Sequence, residues 1–484
     1  MHVSLPALML AWAAVVAPPV TAQARPPRAL QPISVLRELP APRPRAAAPA
    51  TRPPGWSDLS ITVGGTVLVP TAASAAAPAP PPGFSGVQNV ALFVPATGDT
   101  ELFLLGTPSV PQLTAPLLVG FHAFGSSHGD LLFHTDFFAE AFARGWYVLA
   151  PLARSAASDP TANYGERRSI RNATAALEWV LTNRDIDLER IYGVGFSMGG
   201  GTLGSFMTHN LDPERGMLAA FALHTGSVDQ ADTYPFLTGP PNVTYLMDQL
   251  FGGPPPAAPF EYRRASLVQL DGLAHQLAPG GLHMAANLVY APGQVWYANQ
   301  DPLGYLVTQC EQLMQYFDGV PGSLVSAVVV NGTAHAWQTM SESTVCNFLA
   351  AQTLARPTAG TVIVDEDRRC FDYELQLDAP GQFGELDFDV DLATNRLALT
   401  QTSRVARVVT DVQWLGLDTG LIVRVELEAL DVGDELVVRN VPAAPASVAR
   451  DGLMAPGGSW SYDGQSQTLT IIESDVGLHV WEFQ

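Results

Sequence analysis

The chain has no lysine: all 25 of its cationic side chains are arginines. Schiff-base chemistry, the lysine of a phosphate-binding loop and a Ser–Lys dyad each need an amine, so those enzyme classes fall away. Positive charge is also outnumbered. The 46 carboxylates set a formal net charge of −21, which argues against nucleic acid or an anionic membrane surface as the main partner, since both require clustered cations.

Cysteine is equally sparse, with only Cys310, Cys346 and Cys370. Three thiols make no disulfide framework, and without Cys-x-x-Cys or close Cys/His spacing no metal site is expected. At most one internal bridge can form. Cys310 comes nine residues after Asp301 and Cys346 eleven after His335, which puts both on helices that follow adjacent strands; that pair is favoured over Cys346–Cys370. Beyond the N-terminus no apolar run is long enough to cross a bilayer. The short apolar core from Leu5 to Ala17 is followed by Ala22-Gln23-Ala24, a small-x-small cleavage pattern. Residues 1–24 therefore read as a secretory signal, and the mature protein is expected to be soluble and exported, extracellular or periplasmic.

What is present points to two domains, because 484 residues exceed one ordinary domain and 47% hydrophobic content supplies more than one core. Residues 25–56, mostly Pro, Ala and Arg, cannot build a core and read as a flexible leader. Across residues 57–356 the runs NVALFV, APLLVGF, WYVLAPL, RIYGVGF, LAAFALH, QVWYA and SAVVV alternate with amphipathic segments such as ERRSIRNATAALEWVLTN. Continuous apolar strands separated by helices predict an α/β fold with a mostly parallel sheet, its first strands pairing antiparallel. The interval 229–293, rich in Pro and Gly, reads as a cap-like insertion covering one edge of that sheet. From 357 to 484 the character changes. GELDFDVDL places Glu385, Asp387, Asp389 and Asp391 on one face of a strand, and the turn signals that follow predict an antiparallel β-sandwich. The four carboxylates match no calcium loop and read as a solvated face.

The chemistry gathers at RIYGVGFSMGGG, where an apolar run ends at a serine among glycines. A hydroxyl lifted onto a sharp strand-to-helix turn needs tiny neighbours, and Gly195-Phe196-Ser197-Met198-Gly199 supplies the Gly-x-Ser-x-Gly pattern that such a turn requires. Ser197 is the candidate nucleophile. A second match, Gly125-Ser126-Ser127-His128-Gly129, stands several residues beyond its strand, so Ser127 reads as a loop serine. The base is assigned to His335, just after SAVVV, and its orienting acid to Asp301, just after QVWYA. Asp271 and Asp318 follow no clear strand. A developing oxyanion would be met by the backbone N–H groups of Met198 and of Phe124, the latter in the loop His122-Ala123-Phe124-Gly125, with His122 structural.

The order Ser197, Asp301, His335, the elbow and the His122 loop together resemble secreted serine esterases of the α/β-hydrolase family. The resemblance implies ester hydrolysis through an acyl-enzyme without a cofactor. Ser197 to Gly201 is similar to the elbow of cutinase-like polyester hydrolases, and an appended β-domain is similar to polyhydroxyalkanoate depolymerases. In the loop, Ala123 stands where the family's usual glycine would be. The segment PASVARDGLMAPGGSWSYDGQSQTLTI resembles the last β-sandwich of some glycosidases, with Trp460 and Tyr462 either buried or stacking on a polymer. Two other readings remain open at this level: a peptidase resembling the prolyl oligopeptidase group, and a non-catalytic secreted polymer- or carbohydrate-binding protein.

Overall fold

The apolar runs from Val87 onward become one eight-stranded sheet in the computed structural model of the chain. It describes residues 61–63, 66–68, 86–109, 114–153, 162–238, 243–429 and 431–484. The expected signal at 1–24 and leader at 25–56 lie outside the described residues. The strands are β1 (Val87–Val94), β2 (Asp99–Gly106), β3 (Ala115–Phe121), β4 (Tyr147–Pro151), β5 (Ile186–Phe196), β6 (Ala220–His224), β7 (Gly293–Ala298) and β8 (Val325–Val330). Their spatial order is β1-β2-β4-β3-β5-β6-β7-β8. Only β2 runs against the rest, pairing antiparallel with β1 and β4, while every other neighbour is parallel.

Helices α1 (Asp130–His134), α2 (Phe137–Ala143), α3 (Arg167–Asn183), α4 (Met198–His209), α5 (Gln230–Thr233), α6 (Thr244–Phe251), α7 (Pro259–Arg264), α8 (Gly304–Gly319) and α9 (Glu342–Ala350) fall between or after the strands. Alternate side chains of each strand feed two cores. Val119, Ile191, Leu223 and Val295 meet α3, α4 and α8 on one face, and Leu118, Val194, Ala222 and Trp296 meet α1, α2 and α9 on the other. Helices on both faces explain why β3, β4 and β6 are buried along their whole length. This strand order and layering is the α/β-hydrolase fold.

One expectation needs correction. All three cysteines are free and buried. The Cys310–Cys346 bridge is not formed because α8 and α9 cover opposite faces of the sheet, so the two thiols sit in different cores. Burial pushes all three thiols up to about 12, which leaves them protonated and inert at neutral pH.

The insertion between β6 and β7 holds α5, α6, α7 and a two-residue hairpin, Leu270–Asp271 against Gln276–Leu277. Leu246, Met247, Leu250, Phe251 and Tyr262 form a third apolar cluster with Tyr164, Met198, Leu303 and Leu306. Those four partners follow the carboxyl ends of β4, β5 and β7, so the insertion packs over the strand tips rather than along a sheet edge.

Residues 359–483 form a seven-stranded and a six-stranded sheet. In GELDFDVD, Leu386, Phe388 and Val390 are buried and the carboxylates between them are half-buried, as the alternation requires. Most pairs are antiparallel, but Arg396–Ser403 runs parallel to Val423–Ala429 and Val405–Asp411 parallel to Glu435–Arg439. Trp460 and Tyr462 pack against the core, and the Tyr462 hydroxyl donates to Val441 O at 3.0 Å. This β layer is continuous with the α/β core. Tyr290 meets Phe371 edge-on at 5.2 Å, Phe371 N–H donates to Leu211 O at 2.7 Å, and Asn287 exchanges two hydrogen bonds with the Ile363 backbone.

Candidate active site

β5 ends at Phe196 and α4 begins at Met198, so a single residue makes the turn between them. Ser197 has φ 56° and ψ −124°, a conformation that costs a side-chain-bearing residue about 1–3 kcal/mol and persists only where the surroundings enforce it. The surroundings here are glycines packed to contact. A Cβ on Gly195 would lie 2.3 Å from Gly199 O, and one on Gly199 would lie 2.2 Å from Phe121 O. The Ser197 N–H donates to His224 O at 2.9 Å, which pins the corner to β6. Its side chain does not cap α4 and stays free for chemistry.

Three residues far apart in sequence meet at this corner. His335 Nε2 lies 3.0 Å from Ser197 Oγ, and His335 Nδ1 lies 2.8 Å from Asp301 Oδ2. A carboxylate can only accept, so Nδ1 carries the proton and Nε2 presents its lone pair to the serine hydroxyl. The other Asp301 oxygen accepts from Leu303 N–H at 2.8 Å, which fixes the carboxylate against the start of α8. Asp301 and His335 side chains are almost wholly buried. The Phe196 ring lies 4.6 Å from the His335 ring and 4.7 Å from His224, forming an aromatic floor under the imidazole.

The loop after β3 is built differently from the expected glycine pattern. Gly125, at φ 77°, takes the left-handed conformation, and Ser126 N–H closes a turn onto Ala123 O, so Ala123 needs no unusual backbone. The Ala123 N–H is committed to Asp130 Oδ2 at 3.1 Å. The N–H groups of Phe124 and Gly125 have no acceptor among the described residues, and neither does Met198 N–H in the first turn of α4, so Phe124 stays available for the role expected of it. Phe124 packs 6.0 Å from Tyr164. His122 is buried with its ring nitrogens 2.9 Å from Ala123 O and 3.0 Å from Leu152 O, a structural placement. Ser127 lies in the loop ahead of α1, its hydroxyl accepting from Gly129 N–H at 3.3 Å.

Two residues at this site carry no sequence motif. Asp130 reaches both Ala123 and Trp337, and Trp337 follows His335 by two positions. Away from the site, one group among the described residues gathers metal-ligand atoms, Glu473, Asp475 and His479. Arg450 already pairs with both of its carboxylates.

No family model matches the chain, and no curated protein matches it. Among solved structures, similar ones include fluorophosphonate-binding serine hydrolase F of Staphylococcus aureus (10% identity, 54% of this chain and 97% of that one, TM-score 0.40). Others are an acetyl xylan esterase from Paenibacillus sp. R4 (14%, 56% and 85%, 0.41) and an esterase of Pyrobaculum calidifontis (18%, 55% and 84%, 0.38).

Proposed function

We propose that the protein is a serine hydrolase that cleaves carboxylic esters through an acyl-enzyme. The observation that carries this reading is the relay from Ser197 Oγ to His335 to Asp301, at 3.0 and 2.8 Å, on a strained turn. Ser197 Oγ bonds to the acyl carbon while its proton passes to His335 Nε2, and the Asp301 carboxylate stabilises the imidazolium. The carbonyl oxygen gathers negative charge facing the N–H groups of Met198 and Phe124. As the C–O bond to the alcohol breaks, the leaving oxygen takes the proton from His335. Water, deprotonated by the same nitrogen, then attacks the acyl group, releases the acid and restores Ser197. Ser197 supplies the attacking electron pair in the first half and water in the second, and His335 carries one proton in each.

Two finer points belong to the same proposal. Export rests on the apolar core and small-x-small pattern in residues 1–24. Action on polymeric esters rests on the Ser197–Gly201 likeness, with the C-terminal sheets as a candidate contact for an insoluble substrate. The test is Ser197→Ala, assayed on a p-nitrophenyl ester and with a fluorophosphonate probe. Turnover should fall by roughly 10⁴-fold or more and labelling should vanish, with the thermal transition kept. A variant that still turns over the ester removes Ser197 from the role. A panel of short esters, long esters, polyester film and peptide amides then reports which leaving groups the site accepts.

A further inference from the structure

Asp130 opens α1 just behind the β3 loop, and its carboxylate is buried. Oδ2 accepts from Ala123 N–H at 3.1 Å and from Trp337 Nε1–H at 3.0 Å, while Oδ1 lies 2.7 Å from Nδ1 of the half-exposed His134 one turn on. Ala123 directly precedes Phe124, the candidate oxyanion donor. Trp337 belongs to the loop that carries His335. A single carboxylate oxygen therefore joins the two loops that must face each other across an acyl group. Burial would raise this carboxyl, but the donors from His134, Trp337 and Ala123 outweigh it and hold it below its ordinary range. The Trp337 ring is itself fixed, edge-on to Phe137 at 6.0 Å and 5.3 Å from Phe196, whose ring underlies His335.

We propose that Asp130 is a positioning residue for the hydrolytic reaction, setting the spacing between the Phe124 N–H and the His335 imidazole by holding Ala123 and Trp337 on one oxygen. The proposal rests on the serine-hydrolase reading above. An ionised oxygen accepts two N–H donors readily, whereas an asparagine offers one acceptor atom of lower charge and places two N–H donors where the other acceptor was. The remaining oxygen can still accept both donors but holds each more weakly, so the two loops are freed to shift relative to one another. A displacement of about 1 Å at such a site costs on the order of 10²-fold in rate. Substrate binding draws on other contacts and should change little.

The experiment compares wild type, Asp130→Asn, Trp337→Phe and the double variant on a soluble p-nitrophenyl ester, with active sites counted by stoichiometric fluorophosphonate titration. Expected is a fall in kcat per titrated site of about 10- to 100-fold for Asp130→Asn and about tenfold for Trp337→Phe, with KM within about threefold. The double variant should be no worse than Asp130→Asn alone, because both changes break one link. A purely structural role would lower the thermal midpoint and the number of titratable sites while sparing kcat per site, and that result overturns the proposal. Losses that multiply in the double variant overturn it too. If Asp130→Asn does not fold, Trp337→Phe decides, and an unchanged kcat there is a refutation. Turnover surviving in Ser197→Ala would remove the reading beneath the proposal and the proposal with it. An inactive Ser197→Ala beside an unimpaired Asp130→Asn overturns the proposal alone.

Discussion

At the scale of single residues, the site depends on how little space surrounds Ser197. Its φ of 56° is held because Gly195 and Gly199 let β5, α4 and the β3 tip close to backbone contact. The atoms facing Gly199 are backbone oxygens of Phe121 and His122, which cannot rotate aside as a side-chain end would. Gly199→Ala should therefore cost about 1–3 kcal/mol and lower kcat at least tenfold by moving the proposed nucleophile. Gly304→Ala is the control, since nothing lies within 4 Å of a Cβ at that position. Thermal midpoints and kcat measured side by side check the contrast, and equal tolerance would show that the corner is looser than its distances imply. The meeting of Ser197, Asp301 and His335 was legible because each follows an apolar run, and a proposed nucleophile on such a turn needs its glycines beside it in sequence. Asp130 was not, because its bond to Trp337 joins residues 207 apart and no local rule connects them. The loop's positive φ also fell on Gly125, which spared Ala123.

At the scale of elements, the strands were legible as continuous apolar runs because both faces of the sheet are covered. The insertion was legible as an interval, 229–293, but its inner elements were not, since short helices α5 and α7 and a hairpin leave little periodicity, and its place over the strand tips follows from tertiary contacts. The parallel pairs in the C-terminal sheets were hidden for a related reason: pairing direction is set by a crossover, and a strand's own alternation carries no sign of it. Element burial also has an electrostatic consequence at the end of β6. His224 is stacked on Phe196 with neither ring nitrogen hydrogen-bonded among the described residues, and burial, reinforced by nearby His335, lowers its pKa to about 3. In the unfolded chain this imidazole takes up a proton below about pH 6.5, which the folded state refuses. The unfolded state then binds more protons, so the His224 contribution makes stability fall as pH drops from about 6.5 towards 3, by about 1.4 kcal/mol per unit. His224→Phe keeps the stacking and removes the titration. Between pH 7 and 4.5 the variant should gain about 2–3 kcal/mol relative to wild type in denaturant titrations. Parallel pH profiles would mean that His224 is protonated in the folded protein.

At the scale of the whole molecule, the C-terminal sheets are joined to the α/β layer by buried charge as well as by apolar contact. Arg264 of α7 donates to Asp365 Oδ2 at 2.6 Å, with both side chains essentially excluded from solvent. Arg368 also pairs with Asp365, and His209 Nε2 lies 3.5 Å from its other oxygen. Burial alone would raise the Asp365 carboxyl, yet the two guanidinium groups and His209 hold it well below the ordinary range. Around this point Arg167 and Arg171 of α3 reach Glu366 at 2.9 and 3.0 Å. The sequence marked a change of character near residue 357 but held no sign of this junction, whose partners on the α/β side lie in α3, at the end of α4 and in the insertion. Cutting the chain after residue 356 would leave Arg264 without its carboxylate, Leu211 O without its donor and Asn287 with only its bond to Thr208 O. Removing one member of a buried pair costs about 3–5 kcal/mol, whereas an exposed pair contributes about 0–1 kcal/mol. The truncated chain should therefore lack a cooperative unfolding transition and ester turnover. In the full chain Asp365→Ala should destabilise by about 3–5 kcal/mol, more than Asp389→Ala, whose pair with Arg396 is only half-buried. Denaturant titration of both variants, together with turnover of the 1–356 chain, tests the coupling: a truncated protein that folds and hydrolyses esters at the full rate would make the β layer a separable attachment after all.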